Sequence, residues 1–492
     1  MSELLADIRS IGELRERIPE VEARLKVFID YLISSEQMFL NVLADAQAGV
    51  APRPPASDIE GDLEFGLYLY WLSHPVDYFE ADLSQSPAHV TATMALRHFT
   101  PTSLVGTNDF EWFQQSAYDD GIVAADGTLW TLGKYAQLDM YWLTAGINYA
   151  INLLDPDSIA HPYPGPNQAY NSTIGDGQEH LSIAIIGDWG TGPYGQEFGG
   201  QGPAVAVMNA VRNLSPDCTV HLGDVYYCGT NADRHPINEE QDNLLAPWNS
   251  GLTAPGRNFT INSNHEMYGA AKGLIDVALS STTPFAHQNK TPYFALHFGA
   301  WVVIGLDSAY FDPSSLYMKG ALGNADNTQQ KQFVQSLGDL TDKKVLVMTH
   351  HNPMSYDGKT ITPNKAAGAR LWDAMIDLLG KQPDVWYWGH LHLGVAYNAD
   401  SVLGAKGTMC RCVGHSAIPF GNAHGMDTQN VDYYAHTELS QGSKQVQNGF
   451  VMLRLDVNGS FSEIFYEVTS NGDCVEGWQS PTGALQKKSP QT

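Results

Sequence analysis

Five short stretches of this 492-residue chain carry side chains able to do chemistry. They are Gly187-Asp188-Trp189-Gly190, Gly223-Asp224-Val225-Tyr226-Tyr227, Ser263-Asn264-His265-Glu266, Val347-Met348-Thr349-His350 and Gly389-His390-Leu391-His392. Each follows an apolar run that reads as a strand. Carboxylate, amide, phenol and imidazole donors together suit transition metals better than Ca²⁺ or Mg²⁺. No thiolate belongs to the set, which argues against a structural zinc finger. Taken singly the motifs say little: an Asp after Gly caps helices or makes turns, an Asn does the same, and a lone histidine usually fills a core. Their shared position carries the inference. The carboxyl edge of an α/β sheet gathers side chains from distant segments into one place.

The ordered set resembles the calcineurin-like metallophosphoesterases and, within them, the purple acid phosphatases. GDxG in place of Asp-x-His, followed by GDxxY, is the purple acid phosphatase form, and Tyr227 fills its tyrosine position. The resemblance spans roughly residues 181–470. It implies an α/β/β/α sandwich of two mixed sheets and a pair of metal ions. One ion would be held by Asp188, Asp224, Tyr227 and His392, and the other by Asp224, Asn264, His350 and His390, so that Asp224 bridges. Fe(III) would sit at the tyrosine site, with Fe(II), Zn(II) or Mn(II) at the second. The implied reaction is hydrolysis of phosphate esters by metal-bound hydroxide. A Mn- or Zn-dependent phosphodiesterase of the same fold, or a non-catalytic interaction protein, are the alternatives. His265 is the candidate for protonating the leaving group or orienting the phosphate, with His351 a second candidate for the same pocket. Two details depart from the usual pattern. Ser263 stands where glycine is common, and His350-His351-Asn352-Pro353 has one residue more before its proline; His350 is favoured as ligand because it falls three residues after Val347.

The elements that must position these residues read as alternating strands and helices, which predicts an α/β core with some parallel pairing. Strands are expected at 181–187, 218–222, 259–262, 345–348 and 385–388, a hairpin at 293–297 and 301–306, and half-exposed strands over 449–470. Helices are expected at about 203–213, 327–338 and 367–380. Residues 1–48 repeat Leu, Ile and Val at helical spacing, and 58–150 are rich in Trp, Tyr, Phe and Leu without alternation, so a mainly helical region is expected there. The His161-Pro-Tyr-Pro-Gly-Pro-Asn stretch reads as a linker. The expected domains are therefore 1–178 and a catalytic 179–492.

Composition narrows the function. The formal charge is −27, and residues 1–180 hold 26 acidic against 8 basic side chains. Such a surface disfavours nucleic acid, whose binding needs Lys and Arg. It also repels a phosphorylated small molecule at long range, so a phosphate substrate requires strong local positive charge, which metal ions supply. Neither an 18-residue apolar run nor a secretory pattern is seen at the N-terminus, so a cytoplasmic, membrane-free protein is expected. The N-terminal helices offer a surface for a homo-oligomer. Five cysteines in so long a chain read as buried thiols rather than a disulfide framework. A rival reading rests on Gly190-x-Gly192-x-x-Gly195, a dinucleotide fingerprint; it leaves the Asn264, His350, His390 and His392 motifs unexplained.

Overall fold

The computed structural model describes residues 163–194, 202–231, 238–249, 256–326, 328–418, 423, 426–438, 444–469 and 472–480, with 122–123, 129–130 and 135. The helical readings of 1–48 and of most of 58–150, and the oligomer surface expected of them, lie outside the described residues. Within 58–150, Ile122–Val123 pairs antiparallel with Leu129–Trp130. The chain divides into two compact units, with the division at 160/161 and two short segments, Tyr268–Ala270 and Glu438–Gln445, grouped with the first.

The second unit is built of two mixed sheets. In chain order its main elements are β1 (Tyr170–Thr173), β2 (His180–Ile186), α1 (Pro203–Leu214), β3 (Cys218–His221), β4 (Asn258–Thr260), α2 (Asn264–Tyr268), β5 (Phe294–Phe298) and β6 (Trp301–Gly305). Then come α3 (Gln329–Ser336), β7 (Lys344–Thr349), α4 (Leu371–Leu379), β8 (Val385–Trp388), β9 (Gly394–Tyr397), β10 (Met409–Val413) and β11 (Val431–Tyr434). Strands β12 (Gly449–Asp456), β13 (Phe461–Val468) and β14 (Cys474–Ser480) close the unit. One sheet has eight strands in the order β11-β9-β10-β8-β7-β6-β5-β1, the other six in the order β14-β13-β12-β2-β3-β4. β6-β7-β8-β10 and β2-β3-β4 run parallel, and the remaining neighbours are antiparallel except β1 with β5.

The burial pattern explains the layering. Strands β3, β8 and β9 are buried at every residue, as expected of strands covered on both faces. Ile183, Ile185, Val220 and Leu453 from the smaller sheet meet Leu296, Val303, Leu346 and Tyr387 from the larger one in the central core. The outer face of the larger sheet is covered by α3 and α4 through Phe333, Val334, Trp372 and Met375. The smaller sheet is covered by α1 through Ala204, Val207 and Val211, together with Trp189 and Trp248. The result is two mixed sheets packed face to face and flanked by helices, the sandwich that the resemblance implies. Every expected strand and helix between 181 and 470 is present, with ends shifted by a few residues. β1, β9, β10, β11 and β14 were not expected; β1 is a polar edge strand, and β9 directly follows the Gly389–His392 motif. Cys218, Cys228, Cys410 and Cys412 are buried free thiols. No helix among the described residues is long and apolar enough to cross a membrane.

Candidate metal centre

The parallel strands deliver their carboxyl ends to one region. Asp188 follows β2, Asp224 follows β3, Asn264 opens α2 after β4, His350 follows β7, and His390 and His392 follow β8. Local backbone is unusual at four of these residues. Asp188 (φ 53°), Asp224 (φ 72°), His390 (φ 67°) and His392 (φ 49°) all lie in the left-handed region. For a residue with a Cβ this costs about 1–2 kcal/mol each and persists only where packing enforces it. The packing is visible. Gly190 bridges in parallel to Val225, and a Cβ on it would stand 2.5 Å from Val225 Cα. That close approach, not a nucleotide phosphate, accounts for the glycine of the first motif.

The side chains meet as two groups sharing Asp224. On one side, His392 Nε2 lies 3.5 Å from Asp188 Oδ1 and 3.9 Å from Asp224 Oδ2, and the Tyr226 hydroxyl lies 3.1 Å from Asp224 Oδ2 and 3.2 Å from His392 Nε2. On the other, His350 Nε2 lies 3.2 Å from Asp224 Oδ1 and 2.7 Å from Asn264 Oδ1, which is itself 3.1 Å from His390 Nδ1. Ligand atoms of Asp188, Asp224 and His350 all fall within 4.8 Å of one another, as do those of His350, His351 and His390.

Hydrogen bonding identifies what these atoms present. His350 Nδ1–H donates to the Leu222 carbonyl at 2.9 Å, so its Nε2 brings a lone pair towards Asn264 Oδ1 and Asp224 Oδ1. Three lone-pair donors facing each other repel unless a cation joins them. Asp188 accepts the His390 N–H at 2.9 Å through Oδ2, while its buried Oδ1 has no hydrogen-bond partner. Burial first, then the neighbouring Asp224, pushes the Asp188 carboxyl well above its ordinary range. Burial pushes Asp224 the same way, but the imidazoles of His350 and His265 and hydrogen bonds at its oxygens outweigh it, so Asp224 carries the charge of the pair. Two buried carboxylates this close hold one negative charge between them unless a cation neutralises both. Burial lowers His350 to about 3, and burial, with His351 and His350, holds His390 well below its ordinary value. Neutral imidazole is the form that ligates metal. The donor set therefore fits metal ions.

Several contacts were not legible beforehand. The phenol that meets Asp224 and His392 belongs to Tyr226, whereas Tyr227 was expected there. Tyr227 is fixed through its backbone: its N–H donates to Glu239 Oε1 at 2.8 Å and its carbonyl faces His265 Nδ1 at 2.8 Å. Glu239, in no motif, also accepts the N–H groups of Cys228 and Thr230, at 2.9 and 3.2 Å, and so sets the turn that presents Tyr226. His265 lies against the site, its Nε2 3.9 Å from Asp224 Oδ2. His351 sits beside His350 and His390, with Nδ1 2.8 Å from Ser308 Oγ and Nε2 2.5 Å from the Tyr317 carbonyl.

Ser263 explains its departure from glycine. Its hydroxyl hydrogen bonds both Asp224 Oδ1 and Glu266 Oε2. Burial, then Asp224, raises Glu266 to about 8, and Glu266 Oε2 accepts from the Ser263 hydroxyl and, at 3.3 Å, from the Asp224 N–H. Ser263→Ala is expected to lower stability by about 1–3 kcal/mol, because it strands two buried acids. Thermal unfolding measures this, and an unchanged midpoint would show that the link carries no weight.

Residues 181–394 match the calcineurin-like phosphoesterase family. No curated protein matches the chain by sequence. Among solved structures, GAP50, the anchor in the inner membrane complex of Plasmodium, is 14% identical with a TM-score of 0.43, over 63% of this chain and 91% of that one. A Staphylococcus aureus structure described as a 5′-nucleotidase in complex with alpha-ketoglutarate is 12% identical with a TM-score of 0.30, over 63% of this chain and 56% of that one.

Proposed function

We propose that this domain hydrolyses phosphate esters of small molecules with two metal ions, in the manner of a purple acid phosphatase. The observation that carries the reading is the division of the donors into two groups around Asp224. Asp188, Asp224, His392 and a tyrosine, Tyr226 by its position, would hold one ion. Asp224, Asn264, His350 and His390 would hold the other. Such ions supply Lewis acidity towards phosphoryl oxygens and lower the pKa of water to about 7.

The chain's own groups do the rest. Asp224 presents one oxygen to each group and would reduce the repulsion between two bound cations. The Leu222 carbonyl and the His390 N–H fix the orientation of His350 and Asp188. His265, held at Nδ1 by the Tyr227 carbonyl, keeps Nε2 towards the centre, where it can hold or pass a proton at the ester's leaving oxygen. Burial favours its neutral ring, and a bound anion beside it favours the charged one. His351, engaged at both ring nitrogens, is assigned to positioning rather than proton transfer.

Elemental analysis alongside turnover of p-nitrophenyl phosphate tests the reading. Active protein is expected to contain iron and to show a visible phenolate band that Tyr226→Phe abolishes and Tyr227→Phe leaves in place. Loss of the band in Tyr227→Phe alone would restore the motif-based tyrosine. Colourless, iron-free, active protein would move the reading to a Mn- or Zn-dependent phosphodiesterase. Metal-free, inactive protein would favour an interaction role.

A further inference from the structure

We propose that Lys319 binds the phosphoryl oxygens of the substrate and selects phosphate monoesters over diesters; this rests on the phosphoesterase reading above. The segment around it, 312–320, is tightly determined. The Asp312 carboxylate accepts the backbone N–H groups of Ser314, Lys319 and Gly320 at 2.9, 2.8 and 2.7 Å, the Ser314 hydroxyl at 2.8 Å and Asn364 Nδ2 at 3.1 Å. Its charge is thus spent on backbone amides and not on the lysine. Leu316 and Tyr317 take left-handed φ values of 57° and 55°, a strained conformation held by those bonds.

Three points fasten this segment to the metal-donor cluster. The Tyr317 carbonyl accepts from His351 Nε2 at 2.5 Å. Met318 Sδ lies 3.8 Å from Asn264 Nδ2. Gly320 packs so closely on His351 that an added Cβ would stand 2.8 Å from the His351 Cβ. Lys319 lies between these contacts. Its side chain is half-buried, and no carboxylate or hydrogen-bond acceptor among the described residues pairs with its ammonium.

A half-buried lysine with no partner for its ammonium among the described residues, on a segment fastened to a metal-donor cluster, is unusual in a chain of net charge −27. Long-range repulsion of an anionic substrate must be overcome locally, and a lysine offers a mobile point charge with three donors for phosphoryl oxygen. A monoester carries one more negative charge than a diester, so it gains more from this cation.

Lys319→Met and Lys319→Arg in the full chain, as purified with its metals, test the proposal. The readouts are inorganic phosphate binding by calorimetry, and kcat and KM on p-nitrophenyl phosphate and on bis(p-nitrophenyl) phosphate. Lys319→Met is expected to weaken phosphate binding and raise the monoester KM by about 10–100-fold, with kcat changed far less. The diester KM should move by no more than about threefold, and Lys319→Arg should recover most of the monoester binding. Unchanged phosphate affinity and monoester KM in Lys319→Met, with the parent active, would overturn the proposal. If the parent binds phosphate but cleaves no ester, and Lys319→Met loses that binding, the anion site stands and the hydrolase reading falls. A parent that does not bind phosphate overturns both.

Discussion

Replacing Asp224 with asparagine is expected to cut ester hydrolysis by about 10³-fold or more and to lower bound metal from about two ions per chain to one or fewer. The size of the effect follows from the position of the two carboxylate oxygens. Oδ1 faces His350 and Oδ2 faces His392 and Tyr226, so one side chain serves both donor groups. Asparagine keeps the volume and the Tyr226 hydrogen bond, but it removes the negative charge that would stand between two cations. It also turns one ligand atom into an N–H₂ donor. The fold should persist, since the core residues around β2 and β3 are untouched, and circular dichroism with thermal unfolding would establish that. Retained turnover with two metals bound would rule Asp224 out as a shared ligand. Loss of structure would be separated from loss of chemistry by the unfolding profile.

Gly389→Ala is expected to do comparable damage by steric means alone. A Cβ at Gly389 would stand 2.3 Å from Asp188 Oδ2 and 3.4 Å from His350 Nδ1. Gly389 is not in the left-handed region, so alanine brings no backbone penalty, and the whole effect lies in displacing the Asp188 carboxylate. That oxygen accepts the His390 N–H, and pushing it away disturbs both a ligand and the turn that carries His390. Overpacking of this kind costs about 1–3 kcal/mol, and loss of the Asp188 position should lower turnover by about 10²-fold or more. Gly165→Ala is the control, because a Cβ there meets nothing within 4 Å. Elemental analysis of the two variants reads the difference. Full metal content and activity in Gly389→Ala would mean that Asp188 is not confined as the geometry requires.

Much of the second unit was legible from residue order. The apolar runs ending in Gly-Asp, in Thr349-His350 and in Gly389-His390 marked strand ends, because local burial periodicity and a following glycine are short-range signals. Asp188, Asp224, Asn264, His350, His390 and His392 are brought together by the parallel strands β2, β3, β4, β7 and β8. Edge strands were harder to see. Tyr170–Thr173 alternates between half-buried and exposed, a weak pattern in a stretch dominated by prolines and glycines.

By itself, the amino-acid sequence determined the donor types, their order and their attachment to strand ends, since these depend on spacing along one segment at a time. Only the tertiary structure decided that Tyr226 faces Asp224, that Ser263 links Asp224 to Glu266, that Glu239 braces the tyrosine turn, and that Lys319 is fastened beside His351. Each of those depends on a backbone angle at one turn or on contact between segments tens of residues apart. Neither quantity is written in local composition.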